Sequence, residues 1–147
     1  MASDRALLEL ELPDRDEAPA AARKALTALN GSLHLISEAR LRDAQLLISE
    51  LVANAVQHGG REDEPVTIAV RASPEAMRVE VRDHGGGFGP DALRAPSTAA
   101  GGGWGLHLVA SLAHRWGVDR EAPNTVWFEI DRPRRGTPLA PDPSPPE

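Results

Sequence analysis

Three polar or glycine-rich signatures stand in a fixed order along this chain, and their residue types could carry chemistry. The order is Glu50-x-x-x-Asn54, then Asp83-x-Gly85-x-Gly87, then Gly103-x-Gly105-Leu106. A carboxylate and an amide one helical turn apart can serve a nucleophile and a metal ion. An aspartate before a glycine-rich turn can hold a base, and a glycine loop that opens a helix can hold phosphates. Together the three signatures predict a nucleotide pocket.

The first signature lies on a helix that the hydrophobic periodicity predicts over residues 38–58. Glu50 and Asn54 are about 40° apart around this helix and about 6 Å apart along it, at the edge of the apolar face. Asn54 offers Mg²⁺ a neutral oxygen. Glu50 could accept a proton from, or orient, a hydroxyl or water that attacks a terminal phosphoryl group. The plain alternative is that both are ordinary polar positions on an amphipathic helix.

The second signature follows a predicted strand over residues 77–83. The carboxylate of Asp83 can accept a hydrogen bond from the 6-amino group of adenine, whereas guanine presents a carbonyl there and would be disfavoured. Gly85 and Gly87 let a flat ring approach the main chain closely. The alternative is a strand that ends in a flexible turn.

The third signature precedes a helix predicted over residues 105–116. Backbone N–H groups near Gly103, Gly105 and Leu106 would face an anion at the start of that helix. The spacing matches neither the dinucleotide-binding fingerprint nor the P-loop. A linker followed by a helix cap is the alternative interpretation.

The elements that must position these residues follow from pattern. Residues 6–12 alternate as a strand, and residues 18–29 form a helix that Asn30-Gly31 should end. Strands over residues 66–71 and 77–83 are expected to form a hairpin, and strands over 118–120 and 125–130 a second one. This order predicts an α+β fold with a mixed, mostly antiparallel sheet and helices on one face.

The composition sets limits on function. A net charge of -6 argues against direct nucleic-acid binding, and the absence of cysteine excludes disulfide and zinc–thiolate sites. The acidic N-terminal residues do not resemble a signal peptide, and no apolar run is long enough for a membrane span. We therefore expect a cytoplasmic protein, with one domain over residues 1–131. Residues 132–147, which hold six prolines, should form a disordered tail.

The signatures also resemble those of a known superfamily. The runs ELVANAVQHGG, DHGGGFGP and GGGWGLHLVASLAHRWGV look like the N, G1 and G2 boxes of Bergerat-type (GHKL) ATP-binding domains, found in gyrase, Hsp90 and histidine kinases. The short length and the closing NTVWFEI resemble the branch of anti-sigma-factor serine/threonine kinases. The resemblance covers about residues 6–131 and implies a two-layer α/β sandwich.

The resemblance implies a role for each matched position. Asn54 would bind Mg²⁺, Glu50 would be the catalytic base, and Asp83 would bind the adenine of ATP. Gly85 and Gly87 would shape the adenine end of the site. The phosphates would contact Gly103, Gly105 and Leu106, at the end of a mobile lid over about residues 88–102.

Two functions follow from this resemblance. The first is a kinase that transfers the γ-phosphoryl group of ATP to a serine or threonine of a small antagonist protein and sequesters a sigma factor or similar partner. The alternative is a non-catalytic module in which ATP only switches partner binding, and the resemblance allows a homodimer in either case. Arg94 is the one basic residue of the lid sequence, which favours the alternative. The resemblance also implies a hydrogen bond from Thr125 near adenine, as a strand threonine makes in relatives, but Thr125 shares its strand face with Trp127 and Glu129, which argues against it.

Overall fold

The computed structural model describes residues 6–12, 16–58, 65–83, 111–119 and 124–133. Seven elements lie in these ranges: β1 (Leu8–Leu12), α1 (Ala18–Leu33), α2 (Glu38–His58), β2 (Val66–Ala72), β3 (Ala76–Asp83), β4 (Arg115–Asp119) and β5 (Asn124–Asp131). No described helix is both long and apolar enough to cross a membrane.

The five strands form one sheet in the order β1-β2-β3-β5-β4, and every described pair is antiparallel. Both helices pack on the same face of this sheet, α1 near β1 and α2 across β2, β3 and β5. The predicted α+β fold with helices on one face is therefore confirmed. The predicted hairpin of β2 and β3 is also present, with Ile68 opposite Val81.

The core lies between the sheet and the two helices. Strand alternation sends every second side chain to the helix face, where Val79, Val81 and Phe128 are fully buried. From the other layer, α2 contributes Leu47 and Leu51, which are also fully buried. The three- and four-residue spacing of apolar residues predicts this buried face of α2, and the predicted bounds of the helix, 38–58, are confirmed.

The first helix is longer than the sequence predicts. Asn30-Gly31 does not end α1, which continues to Leu33 and is capped by His34 in the left-handed conformation (φ 51°, ψ 49°). The side chain of Asn30 is buried, accepts a hydrogen bond from the N–H of Ile36 (2.9 Å) and donates one to its C=O (3.1 Å). This contact with the next segment holds Asn30 inside the helix, so the prediction of a stop here was wrong.

The helix predicted over residues 105–116 also ends earlier. Ser111 and Leu112 are helical, but Arg115 and Trp116 already belong to β4. In β4, Trp116 pairs with Phe128 and Gly117 pairs with Trp127 of β5. Cross-strand pairing thus overrides the local helical pattern, and the predicted strand at 118–120 begins three residues too late.

Arg132 differs from the expected solvated tail. Its guanidinium donates to the carbonyl oxygens of Leu35 (3.1 Å) and Ser73 (2.7 Å), and its backbone N–H donates to Glu75 (2.8 Å). These bonds tie the end of β5 to the turn between β2 and β3 and to the entry of α2. The remaining tail, 134–147, lies outside the described residues.

Candidate functional site

Two opposite flanks of α2 have different surroundings. One flank contacts α1, where Arg23 Nη1 donates to Ser49 Oγ (3.0 Å) and Gln45 Nε2 donates to Thr27 Oγ1 (2.7 Å). Helix geometry puts Asn54 about 180° around α2 from Gln45. The flank with Asn54 therefore faces away from α1, toward the β5–β4 side of the sheet.

Glu50 shares this second flank. It is about 100° from Ser49 and about 40° from Asn54 around the helix axis. Glu50 is half-buried, whereas Asn54 is only 5% exposed. A carboxylate that solvent or substrate can reach thus stands one turn from an amide that is almost enclosed. This arrangement suits a proton acceptor beside a neutral oxygen ligand.

Asp83 lies at the end of β3 on the helix face of the sheet. Register pairs Val81 with Ile68, both of which point into the core, so Asp83 two residues later points the same way. Asp83 is 4% exposed and takes part in a polar interaction. Its Oδ2 atom is buried and accepts no hydrogen bond within the described part of the chain. A carboxylate this deep is costly to bury unless hydrogen-bond donors or a ligand meet it.

Asn54 and Asp83 reach the same end of the domain. Leu35, just before α2, is bonded to Arg132, which is also bonded to Ser73 in the turn before β3. The helix α2 and the strand β3 therefore begin at the same end of the domain. A rise of about 1.5 Å per helical residue carries Asn54 about 24 Å from Glu38. A rise of about 3.3 Å per strand residue carries Asp83 about 23 Å from the start of β3.

The other predicted site residues lie outside the described residues. The described residues end at Asp83 and begin again at Ser111. The range between them, 84–110, holds the expected lid and the predicted site residues Gly85, Gly87, Gly103, Gly105 and Leu106. Leu112 and Ala113 pack against the core where description resumes. The described residues Asp83 and Leu112, on either side of this range, therefore lie on the helix face of the sheet.

The expectation for Thr125 is not supported by its position. Thr125 pairs with Arg82 of β3, on the face of the sheet that the helices do not cover, whereas Asp83 is on the helix face. The backbone position opposite Asp83 belongs to Asn124. The sequence predicts the face of Thr125, because Val126 and Phe128 are core residues and successive residues of a strand point to opposite faces.

The described residues do not form a protein-only metal site. No group of three or more histidine, cysteine, aspartate or glutamate side chains among them could hold an ion. A Mg²⁺ ion bound here would take one amide oxygen from Asn54 and complete its shell with phosphate oxygens and water, which is usual for Mg²⁺ bound with a nucleotide.

The described elements thus define a two-layer α+β domain with buried polar residues on α2 and at the end of β3. The model of the histidine kinase-like ATPase domain family matches residues 12–130, and the chain belongs to this family. Membership indicates that the chain binds ATP. No curated protein is similar enough to the chain to count as a match.

Proposed function

We propose that this chain is an ATP-dependent serine/threonine protein kinase of the anti-sigma-factor type. The observation that carries the proposal is the shared flank of Glu50 and Asn54, which faces away from α1 at the end of the domain where Asp83 is buried. ATP would lie between this flank and residues 84–110.

Each residue has a distinct role in the proposal. Asp83 accepts a hydrogen bond from the adenine amino group, while Gly85 and Gly87 let the ring approach the backbone. Asn54 binds Mg²⁺, whose charge offsets that of the phosphates when it is bound. Gly103, Gly105 and Leu106 supply backbone N–H groups to the phosphates.

Glu50 would act on the phosphoryl acceptor. As a serine or threonine hydroxyl oxygen forms its bond to the γ-phosphorus, the bond from that phosphorus to the β–γ bridging oxygen breaks and ADP leaves. Glu50 accepts the hydroxyl proton, which requires an ionised and accessible carboxylate within reach of the acceptor. Its half-buried position beside Asn54 satisfies the requirement for access.

The protein partners in this proposal come from the family resemblance. They are a small antagonist protein that receives the phosphoryl group and a sigma factor or similar regulator that the chain sequesters. The proposal also includes a cytoplasmic location and a homodimer. The proposal includes one domain over residues 1–131, to which hydrogen bonds to Leu35, Ser73 and Glu75 also tie Arg132.

A non-catalytic module is the second candidate, in which ATP binding only switches partner contacts. The sequence of the expected lid favours it, because Arg94 is the single basic residue there to stabilise charge on a transferred phosphoryl group. Binding without transfer would be enough for such a switch.

Comparing Glu50→Gln with Glu38→Gln distinguishes the two candidates. Glu38 is exposed in the first turn of α2 and controls for the loss of one charge from this helix. ATP affinity is measured by calorimetry, and transfer from radiolabelled ATP is measured on candidate antagonist proteins. The kinase proposal expects all three proteins to bind ATP, with transfer lost by about a hundredfold or more only in Glu50→Gln. Equal transfer by Glu50→Gln would remove the catalytic role of Glu50, and ATP binding without transfer by the wild type would favour the switch.

A further inference from the structure

The outer side of β1 is an edge of the sheet with which no described strand pairs. β1 stands at one end of the strand order, and β2 is its one described strand partner. An edge strand presents a row of backbone N–H and C=O groups that can pair with another chain. Many edges are protected by a proline or by an inward-pointing charge, and Leu8–Leu12, with the sequence LELEL, has neither. This outer side, which we call the β1 edge, is therefore open to strand addition.

The side chains of β1 give this edge two chemically different faces. Register places Leu10 opposite the core residue Ile68, so Leu8 and Leu10 point toward the helix layer, where both are half-buried. Glu9 and Glu11 point to the opposite face, which no described helix covers, and both are exposed. A strand added at the β1 edge would therefore meet leucine on one face and glutamate on the other.

The first helix extends the apolar face of the edge. Ala25 is about 160° around α1 from both Arg23 and Thr27, which contact α2. Since α1 also packs near β1, Ala25 lies on the side of α1 that borders the β1 edge. Ala21 and Leu29, one turn before and after it, share this side, and all three are partly buried. We call these three residues the α1 strip.

The other face of the edge is acidic. The residues of β2 opposite Glu9 and Glu11 are Ala69 and Thr67, and neither carries a charge. Arg82 of β3 reaches Glu9 at 3.4 Å, but the Glu9 side chain stays 58% exposed, against 25% for Arg82. A strand added outside β1 would lie about 5 Å from β1 and about 14 Å, three strand spacings, from β3. The charges nearest to it are therefore the two glutamates of β1.

Glu80 limits how far Arg82 neutralises Glu9. Glu80 meets Arg82 at 2.9 Å, closer than Glu9 does, and it meets Arg78 at 3.0 Å. Burial works to raise the pKa of Glu80, but hydrogen bonds from Arg78 and Arg82 lower it below its usual range. Ionised Glu80 therefore takes most of the charge of Arg82, and Glu9 and Glu11 leave the β1 edge negative.

We propose that the β1 edge docks an extended segment of a partner protein in which apolar and basic residues alternate. The backbone of this segment continues the sheet beyond β1, which is a common mode of peptide recognition. Its apolar side chains cover Leu8, Leu10 and the α1 strip. Its lysine or arginine side chains lie opposite Glu9 and Glu11, where cross-strand pairs of opposite charge are stabilising.

Other occupants fit this edge less well. If a second copy paired through β1 with its helices on the same side of the sheet, glutamates would lie opposite glutamates, and such like-charged pairs are destabilising. Residues 132–147 of the chain hold six prolines, which cannot donate to a strand ladder. The inference does not rest on ATP binding, because Asp83 lies on β3, two strands inward from the β1 edge.

Backbone amide NMR of the full chain tests this inference. The probe is a short peptide of alternating valine and lysine, and its controls are the same peptide with glutamate in place of lysine and the same peptide with N-methylated amides. We expect the valine–lysine peptide alone to shift the amide signals of Leu8–Leu12 and to slow their hydrogen exchange, while those of β4, the other described edge, stay in place. Glu9→Gln and, separately, Glu11→Gln should each weaken the peptide by about two- to fivefold, and Glu38→Gln, exposed on α2, should not.

Three results would overturn the inference, and the wild-type chain alone can give each of them. The first is no shift of the β1 signals at millimolar valine–lysine peptide. The second is equal binding of the valine–glutamate or the N-methylated peptide, which would remove the role of charge or of backbone pairing. The third is a shift of the β1 signals with protein concentration before any peptide is added, which would assign the β1 edge to a second copy.

Discussion

Gly117→Ala should destabilise the domain by about 1–3 kcal/mol, the usual cost of overpacking. A Cβ at this position would lie 2.7, 2.8 and 2.9 Å from three atoms of the Trp127 indole. Ordinary carbon contacts are about 3.5–4.0 Å, so the ring must move outward by about 1 Å. The ring also supports Arg78, so its displacement disturbs the ion pairs around Glu80.

Gly31→Ala is the matched control for this prediction. Gly31 is exposed in α1, and a Cβ added there would meet nothing within 4 Å. Alanine removes the entropic cost of a helical glycine, so this variant should be more stable by about 0.5–1 kcal/mol. Urea unfolding followed by far-ultraviolet circular dichroism gives the free energy of unfolding for each variant.

A double-mutant cycle isolates the cause. If the indole is responsible, Gly117→Ala should cost almost nothing in a Trp127→Val background, because the crowded ring is absent. An undiminished cost in that background would refute the steric explanation. Wild-type stability in Gly117→Ala itself would refute the packing of Trp127 on this glycine.

Three further predictions concern the site, the ion pairs of Glu80 and the turn after α1. Asp83→Asn should weaken ATP binding by about tenfold to a hundredfold in calorimetry, since a hydrogen bond to a charged group is worth about 1.5–3 kcal/mol, while the control Asp43→Asn should bind normally; unchanged affinity in Asp83→Asn would remove the adenine role. Glu80→Gln should lose stability at neutral pH, and its deficit relative to wild type should shrink below about pH 4: the lowered pKa of Glu80 gives stability that is present above the unfolded-state pKa and lost as pH falls through the folded-state value. A deficit in urea unfolding that is the same at every pH would contradict this linkage. Asn30→Ala should cost about 1–3 kcal/mol in the same assay because it removes two hydrogen bonds to Ile36 in a buried setting, and Thr27→Ala on the exposed side of α1 should cost less.

Local pattern predicted much of the fold because the relevant forces act along the chain. The apolar period of α2 fixes both the helix and the flank that carries Glu50 and Asn54. Alternation in β3 likewise predicts that Asp83 ends a strand, with its side chain on the same face as Val81. The positions of Glu50, Asn54 and Asp83 on their elements were therefore predictable from sequence spacing alone, and their roles stay predictions.

The errors occur where a distant partner decides the structure. Asn30 resembles a helix stop until its side chain is seen bonded to Ile36, and Arg115 continues a helical pattern until β5 pairs with it. The ion pairs of Glu80 and Glu129 were missed for a similar reason. Arg71, Glu80 and Glu129 are far apart in sequence and become neighbours only through strand register.

The most direct test of the central claim is calorimetric titration of the full chain with ATP and with GTP, each with and without Mg²⁺. The proposal predicts ATP binding that Mg²⁺ strengthens and little affinity for GTP, because Asp83 accepts a hydrogen bond from the adenine amino group and guanine has a carbonyl in that position. The Mg²⁺-dependent gain should disappear in Asn54→Ala. No binding at millimolar ATP, or equal binding of the two nucleotides, would contradict the assignment of this site.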